Sequence, residues 1–430
     1  MQQEDGGNVS QVKKKNILIL SYFFPPCNKV GGRRWAKFGK YLKQKGHEVH
    51  VLKVELPVNG ICPWEKDVTT YKEKIISIPY KEHRPYYKVN KSPKHLTGKI
   101  NYRLSLYKEK LFPESIKGDR NDISRLYGTS LHQSASDLIK KNNIDTMITT
   151  GGPFHWCFES IQLKKKYPHV KFIVDLRDFW TGGENYISLA PSDKQAEDLK
   201  EKECIEHADH IITPAERIAT FLRKKYTSHT KKISVIPHAY DAEEIPSVTQ
   251  KRSDSELITF AYGGVLYENM EDGILKLIAL LKSILNKGKN IRLDIYSFNR
   301  SYESMFEKEG VKDFVHYHQP IPPSDLFKKF KETDLLLQLR GGRSYEEHFK
   351  STKFYELIAL RRPILYFGPE GDVSDFLVKE KLGFSGNKPT EELCSALMKN
   401  KEINTIPLKD FSVSDYEFSK VTDDLLTLMN

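Results

Sequence analysis

The chain has 430 residues, too many for one ordinary core and a comfortable length for two. A hydrophobic fraction of 39% and an aromatic fraction of 11% suffice for both to fold, and no run approaches the roughly eighteen apolar residues of a membrane-spanning helix. A formal charge of +11 and an isoelectric point near 9.0 call for an anionic partner, but no zinc-finger, RNP or basic-zipper signature points to nucleic acid. In chain order, residues 1–11 are polar, carry Glu4 and Asp5, and do not read as a signal peptide. Residues 16–22 are a continuous apolar run between lysines and Pro25-Pro26, the pattern of a strand buried on both faces. A turn with Gly31 and Gly32 follows, then a helix with Trp35, Phe38 and Leu42 on one face, then a strand over 47–52. Strand, Gly-rich turn, helix and strand make a βαβ unit, at home in a doubly wound parallel sheet. The turn is not GxGxxG, so a dinucleotide fingerprint is absent. Its glycines let a ligand approach the backbone, and Arg33 and Arg34 add positive charge; the alternative is a structural turn with two solvated arginines.

Residues 80–120 break the apolar rhythm, with eleven Lys and Arg against four Asp and Glu and with Tyr86, Tyr87, Tyr102 and Tyr107 interleaved. That composition suits an anionic membrane surface, a polyanionic acceptor or a solvated insertion. A helix over 123–141 and a strand over 145–150 lead into Gly151-Gly-Pro-Phe-His155. A strand over 171–178 follows, on which Asp175 and Arg177 are expected to share one face and Asp178 the other. Both strands run into polar residues at their carboxyl ends, where open α/β sheets bind ligands. Helices over 193–208 and 215–226, with strands at 210–213 and 233–236, complete the first sheet.

A polar run, 249–256, reads as a linker. A second alternation begins with a strand over 257–262 ending in Gly263-Gly264, a helix from Asp272, and strands over 291–296, 315–317 and 334–338. Arg340 and Arg343 flank Gly341-Gly342. Ser351 or Thr352 can cap a helix whose Phe354, Leu357, Ile358 and Arg361 share one face, with Pro363 ending it before an apolar strand over 364–367. Lys353 and Glu356 lie one turn apart at its start. A positive helix N-terminus carrying a Lys is a ready phosphate site and a Glu can accept from sugar hydroxyls; the plainer reading is a surface Lys–Glu pair. A last helix spans 415–429. The five cysteines, without CxxC or metal-ligand spacing, argue for a reducing compartment, and the expectation is a cytoplasmic protein.

Lys353-x-x-Glu356 followed by Arg362-Pro-Ile-Leu365 resembles the donor-binding segment of the retaining GT-B glycosyltransferases, in particular the family 4-like (group 1) enzymes. Phe24-Pro-Pro with Gly31-Gly-x-Arg34, Gly151-Gly-Pro-Phe-His155 and Asp175-Leu-Arg-Asp-Phe-Trp-Thr181 are similar to that family in the same order, so the resemblance covers about 16–428. It implies an α/β fold of GT-B type, two Rossmann-like doubly wound domains facing each other across a cleft. The expected boundaries are an N-terminal acceptor-binding domain over 1–248 with the basic insertion 80–120, the linker 249–256, a C-terminal nucleotide-sugar-binding domain over 257–412, and a helix in 413–430 returning to the N-terminal domain. The implied activity is transfer of a sugar from a nucleotide-diphosphate-sugar to a saccharide or lipid-linked saccharide, in bacterial-type surface polysaccharide or glycoconjugate synthesis. The resemblance implies no metal and no other cofactor. The implied partners are the donor, the acceptor and an anionic membrane at its inner face, not nucleic acid.

The resemblance further implies that Glu356 holds the ribose and Lys353 lies by the diphosphate. His155 is expected at the donor sugar's hydroxyls and Asp178 at the acceptor hydroxyl, the Asp/Arg pair otherwise tying the loop. Gly31, Gly32, Arg33, Arg34 and Arg177 fall on the acceptor side. Gly263 and Gly264 let the diphosphate approach the backbone. The chain departs from the family in three places, the first being Pro237-His-Ala-Tyr-Asp241, where His238 and Ala239 replace the Asn and Gly of the family's Pro-Asn-Gly-x-Asp and alter the turn. Val265, Leu266 and Tyr267 follow the glycines where an Arg and a later Lys are usual, leaving Arg340, Arg343 and Lys353 as replacement cations. The Glu-x7-Glu pair is half present, with His348 at the first position and Glu347 beside it. Those gaps leave open a non-catalytic nucleotide-sugar or glycan-binding protein, or a GT-B epimerase or phosphorylase.

Overall fold

The computed structural model describes residues 14–58, 60–81, 118–119, 122–247, 257–341, 350–399 and 412–430. Arg343, Glu347, His348, the linker 249–256 and nearly all of 80–120 lie outside the described residues. The chain divides into two compact units, one of Met1–Thr213, Ile218–Ser234 and Leu426–Asn430, the other of Pro214–Arg217 and Val235–Leu425.

In the first unit, β1 (Asn16–Leu20), α1 (Arg33–Gln44), β2 (Glu48–Val54) and β3 (Ile75–Ile78) precede α2 (Gly128–Lys141), β4 (Thr146–Thr150), α3 (His155–Lys166) and β5 (Lys171–Asp175). Then come α4 (Glu184–Ile187), α5 (Pro191–His207), β6 (His210–Thr213), α6 (Glu216–Lys225) and β7 (Ile233–Val235). The sheet order is β3-β2-β1-β4-β5-β6-β7, and the strands from β3 to β6 pair in parallel. Every residue of β4 is buried, as is all of β1 after Asn16, which is why neither strand alternates and β1 reads as an unbroken apolar run.

The second unit runs β8 (Leu257–Gly263), α7 (Glu271–Asn286), β9 (Asn290–Tyr296), α8 (Glu303–Lys308), β10 (Val315–His318), α9 (Pro323–Lys331) and β11 (Leu335–Leu339). It continues with α10 (Thr352–Ala359), β12 (Ile364–Phe367), α11 (Asp372–Lys379), β13 (Gly383–Ser385), α12 (Thr390–Lys399) and α13 (Phe418–Met429). The sheet order β10-β9-β8-β11-β12-β13 is the 3-2-1-4-5-6 order of a Rossmann-like sheet, parallel throughout. Alternate residues of one strand feed two cores. Leu335, Leu337 and Leu339 face α7 residues such as Leu277 and Leu281. Leu336 lies on the other side with Phe354, Leu357 and Ile358 of α10. Burying each of those three is favourable by roughly 1.5–3 kcal/mol, so the face of α10 is fixed by burial. Arg361 does not share that face: α10 stops at Ala359, and Arg361 is an exposed residue at φ +56°. The helix has already ended in a left-handed turn when Pro363 is reached. Ser351 holds the N-cap position through its backbone and makes no side-chain cap bond.

Both sheets have a point where strand order reverses, between β1 and β4 and between β8 and β11. Connections leave those neighbours toward opposite faces, which opens a crevice beyond their carboxyl ends. Gly151 and Arg340 stand directly after β4 and β11, and Gly263 is the last residue of β8. No helix among the described residues is long and apolar enough to cross a membrane.

Candidate functional site

In the second unit the fold gathers four of the residues singled out in the sequence. Gly264 follows β8 at φ +143°, and a β-carbon there would meet the Nζ of Lys353. Lys353 sits in the first turn of α10, its ammonium 5.1 Å from the centre of the Tyr262 ring. The side chain is largely enclosed, and burial pushes its pKa down to about 8; Glu356 acts to raise it and Arg340 to lower it. Glu356 and Arg340 therefore act on the same ammonium from α10 and from the end of β11. The backbone N–H of Arg340 donates to Phe367 O at 2.9 Å, and that of Gly264 to Tyr296 O at 2.9 Å, so each loop is pinned to its neighbouring strand. Gly263 has a different role: a β-carbon there would meet Leu326 and Phe330, so its lack of a side chain serves packing of α9. Arg343, Glu347 and His348 lie outside the described residues.

One neighbour of this cluster was not legible in the sequence. Asn269, in the loop before α7, fills the space a β-carbon on Gly341 would need, and so joins the loops after β8 and β11. An Asn in a turn is too common to signal such a contact.

In the first unit, Arg177 is the clamp of the crevice. Its Nε donates to Gly151 O at 2.8 Å and its Nη2 to Gly152 O at 2.6 Å, while the guanidinium also takes the space beside Gly31. Gly32 packs on the backbone of Phe23 and Phe24. The two glycines thus admit protein neighbours on their open sides. Arg34 is no solvated cation. It is 3% exposed and its Nε donates to Asp175 Oδ2 at 3.2 Å, an oxygen shared with Trp35 Nε1 at 2.7 Å and Thr150 Oγ1 at 3.1 Å. Arg33 is likewise buried at the start of α1. The expected sharing of one strand face by Asp175 and Arg177 fails because β5 ends at Asp175. Asp175 points into the buried network and Arg177 belongs to the loop. Asp178 keeps a side chain 54% exposed, 3.8 Å from Arg177. It is the carboxylate of this loop that solvent reaches.

His155 opens α3, and its Nε2 lies 2.9 Å from Glu159 Oε1, one turn on. The other oxygen, Oε2, is 3.0 Å from His132 Nε2 on α2. Burial acts to raise the Glu159 carboxyl, but the hydrogen bonds from His132 and His155 outweigh it and hold it near 2. The His155 ring is buried and its Nδ1 has no hydrogen-bond partner. The backbone N–H groups of Phe154 and His155 both donate to Asp122 Oδ2 at 2.7 Å, so the N-terminus of α3 already holds a carboxylate. His155 and Glu159 form an i,i+4 pair that the sequence shows, but Asp122 lies more than thirty residues away and has no local signature.

Chemically, the second unit sets an ammonium against the Gly264 backbone, with a guanidinium and a carboxylate close enough to act on it, at the carboxyl edge of a Rossmann-like sheet. Such an arrangement is suited to neutralising a phosphate chain. No protein-family model matches the chain, and no curated protein sequence does. Solved structures do. A glycosyltransferase from Rickettsia africae matches with a TM-score of 0.62 at 13% identity, over 97% of this chain and 98% of that one. The lipopolysaccharide outer core galactosyltransferase WaaB in its apo form matches with a TM-score of 0.59 at 13% identity, over 96% and 99%. A UDP-GlcNAc 2-epimerase from Methanocaldococcus jannaschii matches with a TM-score of 0.52 at 10% identity, over 96% and 99%. The fold is GT-B, with two Rossmann-like units, and it is shared by glycosyltransferases and by epimerases of nucleotide-sugars.

Proposed function

We propose that the chain is a retaining glycosyltransferase that moves a sugar from a nucleotide-diphosphate-sugar to a saccharide or lipid-linked saccharide. The observation that carries this reading is the Lys353 ammonium above Gly264, with Arg340 and Glu356 acting on it at the switch point of the second unit. In this reading Lys353 and Arg340, rather than a metal ion, face the diphosphate as the bond from the sugar C1 to the leaving oxygen breaks. The acceptor oxygen bonds to C1 on the same face, and its proton passes to the departing phosphate. Glu356 accepts from the ribose hydroxyls, and Asp178 orients the acceptor hydroxyl in the first unit. Preorganised charge aimed at the leaving group is the main source of rate in such a scheme. The setting it implies is polysaccharide or glycoconjugate synthesis at the inner face of a membrane, which the basic composition of 80–120 supports.

The test is a thermal-shift screen across UDP-, GDP-, ADP- and dTDP-sugars, followed by turnover and proton NMR of the product. One nucleotide-sugar and its diphosphate should raise the melting temperature by mass action. Glu356→Ala should then weaken nucleotide binding about tenfold or more, because two hydroxyl donors lose their acceptor at about 1–3 kcal/mol. Unchanged affinity would show that the segment is misassigned. A second reading, a nucleotide-sugar epimerase, is favoured by the epimerases among the fold's neighbours. Release of a C2 epimer without any acceptor would decide for it.

A further inference from the structure

Lys53 is the next-to-last residue of β2 and is only 6% exposed, yet among the described residues its side chain makes no hydrogen bond or ion pair. It is unusual for its unit. The buried cations Arg34, Lys37, Lys40 and Lys200 each have a carboxylate, at 3.2, 2.9, 3.9 and 2.7 Å. The carboxylate acting on Lys53 is that of Glu55, which forms no ion pair with it; burial dominates and pushes the amine's pKa down. A charge taken out of water without a partner is costly, so an anion that pairs with this amine recovers part of that cost.

Its place in the fold gives that pairing a direction. Ser21 N donates to Leu52 O at 3.0 Å, so β1 runs alongside Lys53 into the loop that carries Cys27, Gly31 and Gly32. The loop after β2 returns over the same edge. Cys62 Sγ lies 3.6 Å from Cys27 O, and Gly60 approaches Asn28 Nδ2. Lys53 thus stands at the carboxyl edge of the sheet, flanked by two loops stitched to each other, on the edge where Arg177 clamps Gly31 to Gly151 and Gly152.

We propose that Lys53 is an anion-binding residue of the first unit and that the ligand it receives is a saccharide bearing a carboxylate or a phosphate. The reading of that saccharide as an acceptor rests on the glycosyltransferase assignment; the binding itself does not. An anion arriving at Lys53 supplies the partner that the fold withholds, and a neutral sugar does not.

The experiment is reductive methylation of the full chain, with the labelling rate of Lys53 followed by peptide mass spectrometry. Glucose, glucuronate and glucose 6-phosphate are the probes, with UDP present throughout to occupy any nucleotide site. An anionic sugar at about ten times its dissociation constant should slow labelling of Lys53 about tenfold, with glucose inert. Slowing by glucuronate alone assigns a carboxylate, and by glucose 6-phosphate alone a phosphate. No slowing by either, or equal slowing by glucose, overturns the proposal. Lys53→Met is the control for a structural role. It should melt at a higher temperature than the parent, because an unpaired buried amine is replaced by an apolar chain of similar length. A lower melting temperature would mean that the amine has a structural task and would also overturn the proposal. Nucleotide-sugar turnover, measured in parallel, tests the transferase reading separately: Lys53 protection with no turnover leaves the anion site standing without the acceptor role.

Discussion

The ammonium of Lys353 occupies the space that a β-carbon on Gly264 would need. Helix α10 and the end of β8 are therefore interlocked at the crevice, and Gly264 is held at φ +143°, where a side chain is strained whatever the room. Gly264→Ala should cost about 1–3 kcal/mol of stability from backbone strain and displace the ammonium as well. Urea unfolding and UDP titration check the two parts. A variant with parental stability and parental affinity would show that the two groups do not meet.

Lys353→Ala separates binding from chemistry. If the ammonium stabilises charge that grows as the sugar leaves, its loss should reduce turnover more than donor affinity. The expected loss is about a hundred- to a thousand-fold in rate, or roughly 2.7–4 kcal/mol of barrier. Donor turnover and donor dissociation constant, measured side by side, decide it. Parental turnover would remove Lys353 from the reaction.

The depressed pKa of Lys353, about 8, gives that test a pH axis. Below pH 8 the ammonium is in place and diphosphate binding is flat with pH. Above it, binding must take up a proton, so affinity falls by up to about tenfold per pH unit. Stability moves the other way: between about 8 and the ordinary lysine value of 10.5 the unfolded chain holds the proton that the folded chain has released, so this group's contribution rises with pH. Lys353→Met should remove this group's part of both slopes, so each is read as the difference between parent and variant. Isothermal titration with UDP across pH 7–10 reads the first, and urea unfolding the second.

The strand order explains what the sequence could reveal. Apolar runs and helical periodicity disclose most elements, and once β8 and β11 are neighbours, Gly264, Arg340 and Lys353 must converge. The short edge strand β3 and the three-residue β13 carry too little pattern to be seen. Arg34 was harder still. Its charge reads as surface, and only a carboxylate 141 positions away makes burial tolerable. The same holds for Asp122 at the start of α3, since a helix cap supplied from another loop leaves no local spacing to read.

That distinction yields a paired prediction for the first unit. Arg34→Ala strands Asp175 in the core and should cost about 3–5 kcal/mol. Asp178→Asn, at an exposed side chain, should change stability by no more than about 0.5 kcal/mol. If Asp178 orients the acceptor hydroxyl, that same variant should lose about a hundredfold in transfer while donor affinity holds. Thermal unfolding and acceptor-dependent turnover of the two variants check this. A stable Asp178→Asn protein with full transfer would confine Asp178 to the loop.

Glu159 offers a test of how firmly His155 is held. Two imidazoles keep its carboxyl near 2, against 4.5 for an ordinary Glu, despite the opposing effect of burial. A carboxylate depressed on folding stabilises the native state above its unfolded pKa and loses that contribution as pH falls through the folded one. The full contribution is thus present above about pH 5 and fades between about 4.5 and 2, amounting to about 3 kcal/mol at most. Glu159→Gln keeps the shape and removes the charge, so the variant should be less stable than the parent at pH 6. The difference should shrink by about 2 kcal/mol on going to pH 3. Taking the difference cancels the other carboxylates that titrate there, such as Glu48, which the hydrogen bond from Lys74 also holds near 2. Urea unfolding of both proteins at the two pH values gives the number. A gap that stays constant with pH would mean that Glu159 is not charged against His132 and His155, and that His155 is free to leave it for a ligand.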